Sequence, residues 1–280
     1  MKKIIIALFV FLPSFSFATV ELFSLEELKL RPGEVRLIKK EFSGAIKVTD
    51  FLCQKKSLPF SYHQNVFQSF VVASYFLKPT TFTCELKIDQ EGKSSEIEIY
   101  KVEVVAYNYK KESLKVAAKR IDLSKKDLLR YEGEKKVLDE IYKNFSKDIF
   151  FDGPFIKPSN LTLSSEYGTK RVFNKKKVTQ HLGIDFRAPQ GTPVLSSNKG
   201  KVVFAGDLFF SGKTILVDHG LSLFTMYAHL SKINCKVSDL VEKGQVLGES
   251  GKTGRVSGPH LHWGVKVDGL WVDGFTLPLQ

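Results

Sequence analysis

His181-Leu182-Gly183-Ile184-Asp185 and His260-Leu261-His262 are the stretches whose side chains could do chemistry together. Side chains of an extended strand alternate faces, so His181, Gly183 and Asp185 are expected on one face, with Gly183 leaving room for a metal or a substrate. The same alternation puts His260 and His262 together, with Leu261 and Trp263 opposite. Two strands that each present such a pair can converge on one cation. Two imidazoles and one carboxylate leave the fourth position of a tetrahedral zinc for water, as in a catalytic site. A structural zinc is closed by four protein ligands, commonly cysteines, and none lies near these segments. Zinc in such a site lowers the pKa of its water from about 15.7 towards 7 and polarises a carbonyl. Proton handling then suits a histidine, with its pKa near neutrality. Once three ligands are taken, His229 and one of the His260/His262 pair remain for that task. No His-Glu-x-x-His motif occurs, which excludes the helical zincin architecture.

His181 to Asp185, Met226-Tyr227-Ala228-His229-Leu230 and Gly258-Pro259-His260-Leu261-His262 together resemble the signature segments of the lysostaphin/LytM-type zinc metallopeptidases. They stand in that family's order and at similar intervals. Arg171 to Asn174, Ala188 to Val194 and Gly251 to Gly254 agree with the flanking text, so the resemblance covers roughly residues 160–275. It implies His181, Asp185 and His262 as ligands of one Zn2+ per chain. His229 and His260 would be the catalytic pair that orients water and stabilises the transition state. It further implies the duplicated hybrid motif, a compact β fold with a groove across its sheet, and cross-links or stem peptides of peptidoglycan as substrate. The chain is thus expected to be a peptidoglycan endopeptidase.

Two positions depart from the pattern. Many members follow the aromatic residue after the last ligand with glutamate, where this chain has Gly264, so a change of groove shape is expected. Some place a tyrosine just before the first ligand; residues 175–180 hold none, and Tyr167 lies further off. Two other readings compete. A non-catalytic relative could bind cell wall or activate another hydrolase, but such members usually lose ligands and all five positions are filled here. A zinc D,D-carboxypeptidase would use the same chemistry on the same substrate.

The elements that must position these residues follow from pattern and period. Val202 to Phe204, Thr214 to Val217, Phe224 to Tyr227, Gln245 to Leu247 and His260 to Val267 read as strands separated by glycine, so residues 151–280 are expected to form an antiparallel β peptidase domain. Upstream, Ser124 can cap a helix with Asp127 three residues later, and Val137, Leu138, Ile141, Tyr142 and Phe145 fall on one helical face. Residues 119–150 thus read as a helical connector, which Gly133 could interrupt or bend. Residues 19–118 read as short strands of a β-sandwich-like domain with a regulatory or targeting role. The fold class is therefore mostly β. Cys53 and Cys84 lie in strand-like text and are expected to pair, leaving Cys235 as a spectator thiol.

Lys2 and Lys3, the apolar run Ile4 to Leu12 and Ser16-Phe17-Ala18 have the order of a signal peptide spanning residues 1–18. The run is too short for a spanning helix of about 20 residues, and no later segment is apolar for long enough. A mature chain without a transmembrane segment, in the periplasm or cell envelope, is expected. Removing residues 1–18 takes two lysines and no acids, so the net charge of +12 becomes +10. That surplus favours anionic partners. Export argues against nucleic acid and leaves anionic wall polymer or a membrane surface, with an envelope regulator as a further partner of the N-terminal domain. Gly251-Lys252-Thr253 resembles the end of a phosphate loop, but Val246 stands where that motif needs glycine, so it reads as a turn. His219, before Gly220 at a strand end, reads as structural, and His63 as solvent-facing.

Overall fold

A computed structural model describes residues 25–42, 46–90, 92–114, 123–174 and 177–280. The expected signal peptide at 1–18 lies outside them. Alternating apolar residues upstream build β1 (Glu26–Leu30), β2 (Val35–Glu41), β3 (Lys47–Cys53), β4 (Lys56–Ser57) and β5 (Phe60–His63). Then come β6 (Val66–Val72), β7 (Thr80–Gln90), β8 (Lys93–Val104) and β9 (Lys111–Leu114). One sheet runs β1-β8-β7-β3-β4 and a second β2-β6-β5. Ile38, Phe67 and Val71 of the second sheet meet Phe51, Leu86, Ile99 and Val102 of the first in one buried cluster, a two-layer sandwich. His63 is exposed at the end of β5, as expected.

Cys53 and Cys84 are register partners on β3 and β7, with Cα atoms 4.2 Å apart, and they form the expected disulfide. Cys235 is free and partly buried. The bond closes a loop of sequence separation 31, which by chain entropy stabilises by about 3–4 kcal/mol. The double variant Cys53→Ala/Cys84→Ala should lower the urea midpoint, with a steeper slope because the unfolded chain without its cross-link exposes more surface. An unchanged midpoint would show that the cross-link constrains nothing in the unfolded chain.

The connector forms α1 (Lys125–Lys143), and Ser124 Oγ accepts the N–H of Asp127 as its N-cap. Its packed face differs from the one expected. Tyr142 is buried and Leu138 and Phe145 pack beside it, but Val137 is 53% exposed. At about 100° per residue, Val137 falls to the edge of a narrow stripe. Gly133 neither interrupts the helix nor touches a neighbour.

Downstream come β10 (Leu163–Ser165), β11 (Lys170–Phe173), β12 (Lys177–Gln180), β13 (Ile184–Phe186), β14 (Pro193–Leu195) and β15 (Gly200–Leu208). They are followed by β16 (Gly212–Asp218), β17 (Leu223–Ile233), β18 (Leu240–Val241), β19 (Val246–Ser250), β20 (Leu261–Val267) and β21 (Leu270–Val272). The main sheet is ordered β10-β13-β20-β17-β16-β15-β18, with β14, β19 and β21 attached. Its two faces have different uses. Ile184, Phe186, Tyr227, Trp263 and Val265 point into the larger core. Phe224, Met226 and Ala228 point the other way and carry Tyr142 of α1. Asp185 pairs with His262 and His262 with Ala228, so the candidate ligands lie on the helix-bearing face.

The sandwich docks firmly. Tyr75 and Tyr109 both pack edge-on against Tyr167, and Phe70 packs on Phe151. Asp273 donates its N–H to Gly33 O (2.8 Å), and Lys56 pairs with Asp268. Strand β9 adds in parallel to β11, forming a three-stranded sheet β12-β11-β9 that aligns Glu112 with Arg171. Among the described residues no helix is long and apolar enough to cross a membrane.

Candidate metal centre

Asp185 sits mid-strand on β13, and its register partner on β20 is His262, so backbone pairing alone sets carboxylate beside imidazole. His181 arrives differently. It lies between β12 and β13 rather than in a continuous strand, so alternation does not place it. Instead its N–H donates to Thr169 O (2.9 Å) and its carbonyl accepts from Gly168 N (2.7 Å). Gly168 has φ +79°, and a Cβ there would lie 2.2 Å from the Tyr109 ring, so this turn needs glycine. Tyr75 Oη donates to Gly168 O (3.0 Å), tying the turn to the sandwich. The room expected at Gly183 exists, but the His262 imidazole fills it: a Cβ on Gly183 would stand 2.3 Å from His262 Cε1.

Three donor atoms converge. His181 Nε2 is 2.9 Å from Asp185 Oδ1 and 3.2 Å from His262 Nδ1, which is itself 2.8 Å from Asp185 Oδ1. His181 Nδ1–H donates to Glu166 O (3.2 Å), leaving Nε2 with a lone pair. Lone pairs of two imidazoles and a carboxylate aimed at one point are what a cation satisfies. A tetrahedral zinc with bonds of about 2.0–2.1 Å sets its ligand atoms about 3.3 Å apart, so these donors fit after opening by a few tenths of an ångström. Burial alone would raise the Asp185 carboxyl, but hydrogen bonds from His181 and His262 and their charge hold it well below the usual range.

The other two imidazoles stand alongside. The rings of His229 and His260 are 4.7 Å apart, and His229 is 5.9 Å from His262. His229 Nδ1–H donates to Thr253 O (3.0 Å) and His260 Nδ1–H to Gly258 O (2.9 Å), so both present Nε2 to the site. His260 Nε2 lies 3.9 Å from Asp185 Oδ1. His229 faces this way because of a bulge. Opposite β16 the register slips between Lys213 and Ile215, and His229 takes φ +62°. Tyr227 and Leu230 both stay in the core, so the extra residue turns His229 onto the face of Ala228 and His262. A non-glycine residue there costs of order 1–3 kcal/mol, which the surrounding bonds must offset. Burial, then the nearby His262 and His260, push His229 down to about 3.

Residues 179–274 match the family model described as Peptidase family M23. The chain carries an M23 (LytM-type) peptidase domain. Among curated relatives, the peptidoglycan DD-endopeptidase ShyA of Vibrio cholerae is 42% identical over 112 residues, 40% of this chain and 26% of that protein. The DD-carboxypeptidase/endopeptidase Mpg of Neisseria meningitidis is 39% identical over 99 residues, 35% of this chain and 23% of its own. The chain thus spans about a quarter of the length of these relatives. A crystal structure assigned to peptidase M23, from Pseudomonas aeruginosa, has TM-score 0.65 at 29% identity, covering 88% of this chain and 93% of that one.

Within the M23 domain, the departures noted in the sequence have structural outcomes. Gly264 is covered by Trp271, whose Cζ3 would lie 2.8 Å from a Cβ there. Lys266 sits over the Tyr142 ring at 3.9 Å, so the sheet face past His262 is filled by α1 and Trp271. Tyr167 is buried and donates its hydroxyl to Trp271 O (2.8 Å), away from the donors. His219 is fully buried and structural, with Nδ1–H donating to Lys199 O and Nε2 accepting from Thr225 Oγ1, both at 2.8 Å. Two contributors carried no signal as site residues in the sequence. Arg171 reaches Asp185 Oδ2 (3.2 Å) and Ser165 Oγ (2.8 Å), bracing the carboxylate oxygen turned from the imidazoles. Thr253, read as part of a turn and of the flanking text, holds His229 through its carbonyl.

Proposed function

We propose that the chain is an exported zinc metalloendopeptidase that hydrolyses peptide cross-links or stem peptides of bacterial peptidoglycan. The observation that carries this reading is the convergence of His181 Nε2, Asp185 Oδ1 and His262 Nδ1 beside two further imidazoles that face them with Nε2. His181, Asp185 and His262 would hold the ion. When bound, zinc supplies Lewis acidity and makes water acidic enough to ionise near neutral pH. His260, its ring fixed by Gly258 O, takes the proton of the attacking water at Nε2 and returns it to the leaving amine. His229, held neutral by its burial with its Nδ1–H committed to Thr253 O, presents an Nε2 lone pair that accepts from the attacking water and orients it. Arg171 keeps Asp185 oriented from the far side.

A second reading draws on the sheet face past His262, closed by Trp271 and Tyr142. That closure shortens the run open to substrate and suits a carboxypeptidase acting at a chain end. Digestion of purified cross-linked muropeptides, read by mass spectrometry, separates the cases. Conversion of dimers to monomers is the expected result. Loss of a single terminal residue from monomers would favour the carboxypeptidase, and unchanged muropeptides in the presence of zinc would overturn both.

A further inference from the structure

The family match begins at residue 179, yet the wall beside His229 is held from outside it, by the connector helix. On α1, Glu134 spends both carboxylate oxygens: Oε1 accepts from Arg130 Nε (2.7 Å) and Oε2 accepts the backbone N–H of Phe209 (2.8 Å). Its side chain is only 17% exposed. Phe209 opens the turn between β15 and β16, and two carbonyls of that turn lead to the site. Ser211 O accepts the N–H of His229 (2.8 Å), and Phe210 O accepts the N–H of Arg255 (2.9 Å).

The second link clamps the turn to the 253–255 loop. Their backbones touch, since a Cβ on Gly212 would lie 2.3 Å from Thr253 C and one on Gly254 2.4 Å from Phe210 O. Thr253 O is the acceptor for His229 Nδ1. Both bonds that fix His229, one at its backbone and one at its ring, thus come from two loops locked together, and Glu134 ties that unit to α1. The Tyr131 ring packs edge-on against Phe210 at 5.1 Å, and Arg130 Nη2 reaches Asp207 (2.9 Å), seating the helix on the same turn. A residue with φ +62° keeps that conformation only where neighbours over-determine it.

We infer that Glu134 is a positioning residue for His229: the connector helix sets the attitude of that imidazole by pinning the 209–212 turn. This rests on the reading of His229 given under Proposed function. Glu134→Ala should lower kcat about tenfold with KM within about twofold, because misplacement of a catalytic group costs rate rather than binding. Zinc content should stay at the wild-type value, and amide exchange at Phe209 and His229 should quicken. Glu134→Gln keeps an acceptor oxygen for Phe209 N–H and should recover most of kcat. Lys135→Ala, which breaks the exposed Lys135–Asp139 pair on the same helix, should behave as wild type. A Glu134→Ala enzyme with kcat within about twofold of wild type, or an equal loss in Lys135→Ala, overturns the inference. Wild-type turnover by His229→Ala would instead place the fault in the reading of His229, and the inference would fall with it.

Discussion

His262→Ala is expected to lose bound zinc and turnover together. The variant removes Nδ1, one of three donors, and leaves a hole where the ring now lies against Gly183. His181 Nε2 and Asp185 Oδ1 would remain 2.9 Å apart as two acceptors, one donor short of the set that holds the ion. Altering partners that merely orient a ligand costs about 10–100-fold in metal affinity, so deleting a ligand should exceed that. Metal analysis of the purified protein after dialysis should find near-stoichiometric zinc in wild type and little in the variant. Excess zinc should not restore digestion, because a His260 Nε2 that moved in from 3.9 Å to replace the lost donor would no longer carry the proton. Arg171→Ala should do less: Asp185 loses a contact on Oδ2 but keeps both imidazoles on Oδ1. A His262→Ala protein that retains full zinc would remove this histidine from the ligand set.

How the site was legible in the sequence depends on which interaction places each residue. Asp185 and His262 were readable because strand alternation and register put them there, and alternation is written in Leu261, Trp263 and Val265. His181 was readable by type but not by mechanism, since a turn held by Tyr75 and Tyr109, about 70–100 residues upstream, sets it. His229 was expected to work beside His260, yet strict alternation on β17 would have sent it into the core. The bulge that redirects it has no glycine to announce it. Thr253 and Glu166 act through carbonyl oxygens, which every residue possesses, so no residue type could reveal them. The sandwich and α1 were legible as elements, whereas their contacts with the catalytic half were not. Those contacts bear on how the M23 domain can be isolated. A fragment beginning at residue 151 would lose Tyr75, Tyr109, β9 and Glu134 together, so its activity would report lost bracing as well as any lost regulation.

The second large effect belongs to His260 and His229. Each singly replaced by alanine should retain zinc, because neither Nε2 is among the three converging donors, and each should lower kcat by about 10²–10⁴, the usual worth of a positioned acid–base group or of a group that orients a reactant. The two losses should not add. The rings stand 4.7 Å apart over the same reacting centre, and one without the other leaves either no proton carrier or no acceptor to orient the water. Groups that act as one unit show this pattern: the double variant His229→Ala/His260→Ala should be slower than the worse single by less than about tenfold. Independent roles would instead multiply the two factors. Single-turnover digestion with zinc content measured on the same samples separates these outcomes. Wild-type turnover by purified His260→Ala would remove it from the proton path. A fully multiplicative double variant would mean that the two imidazoles serve different steps, despite facing one site with the same nitrogen.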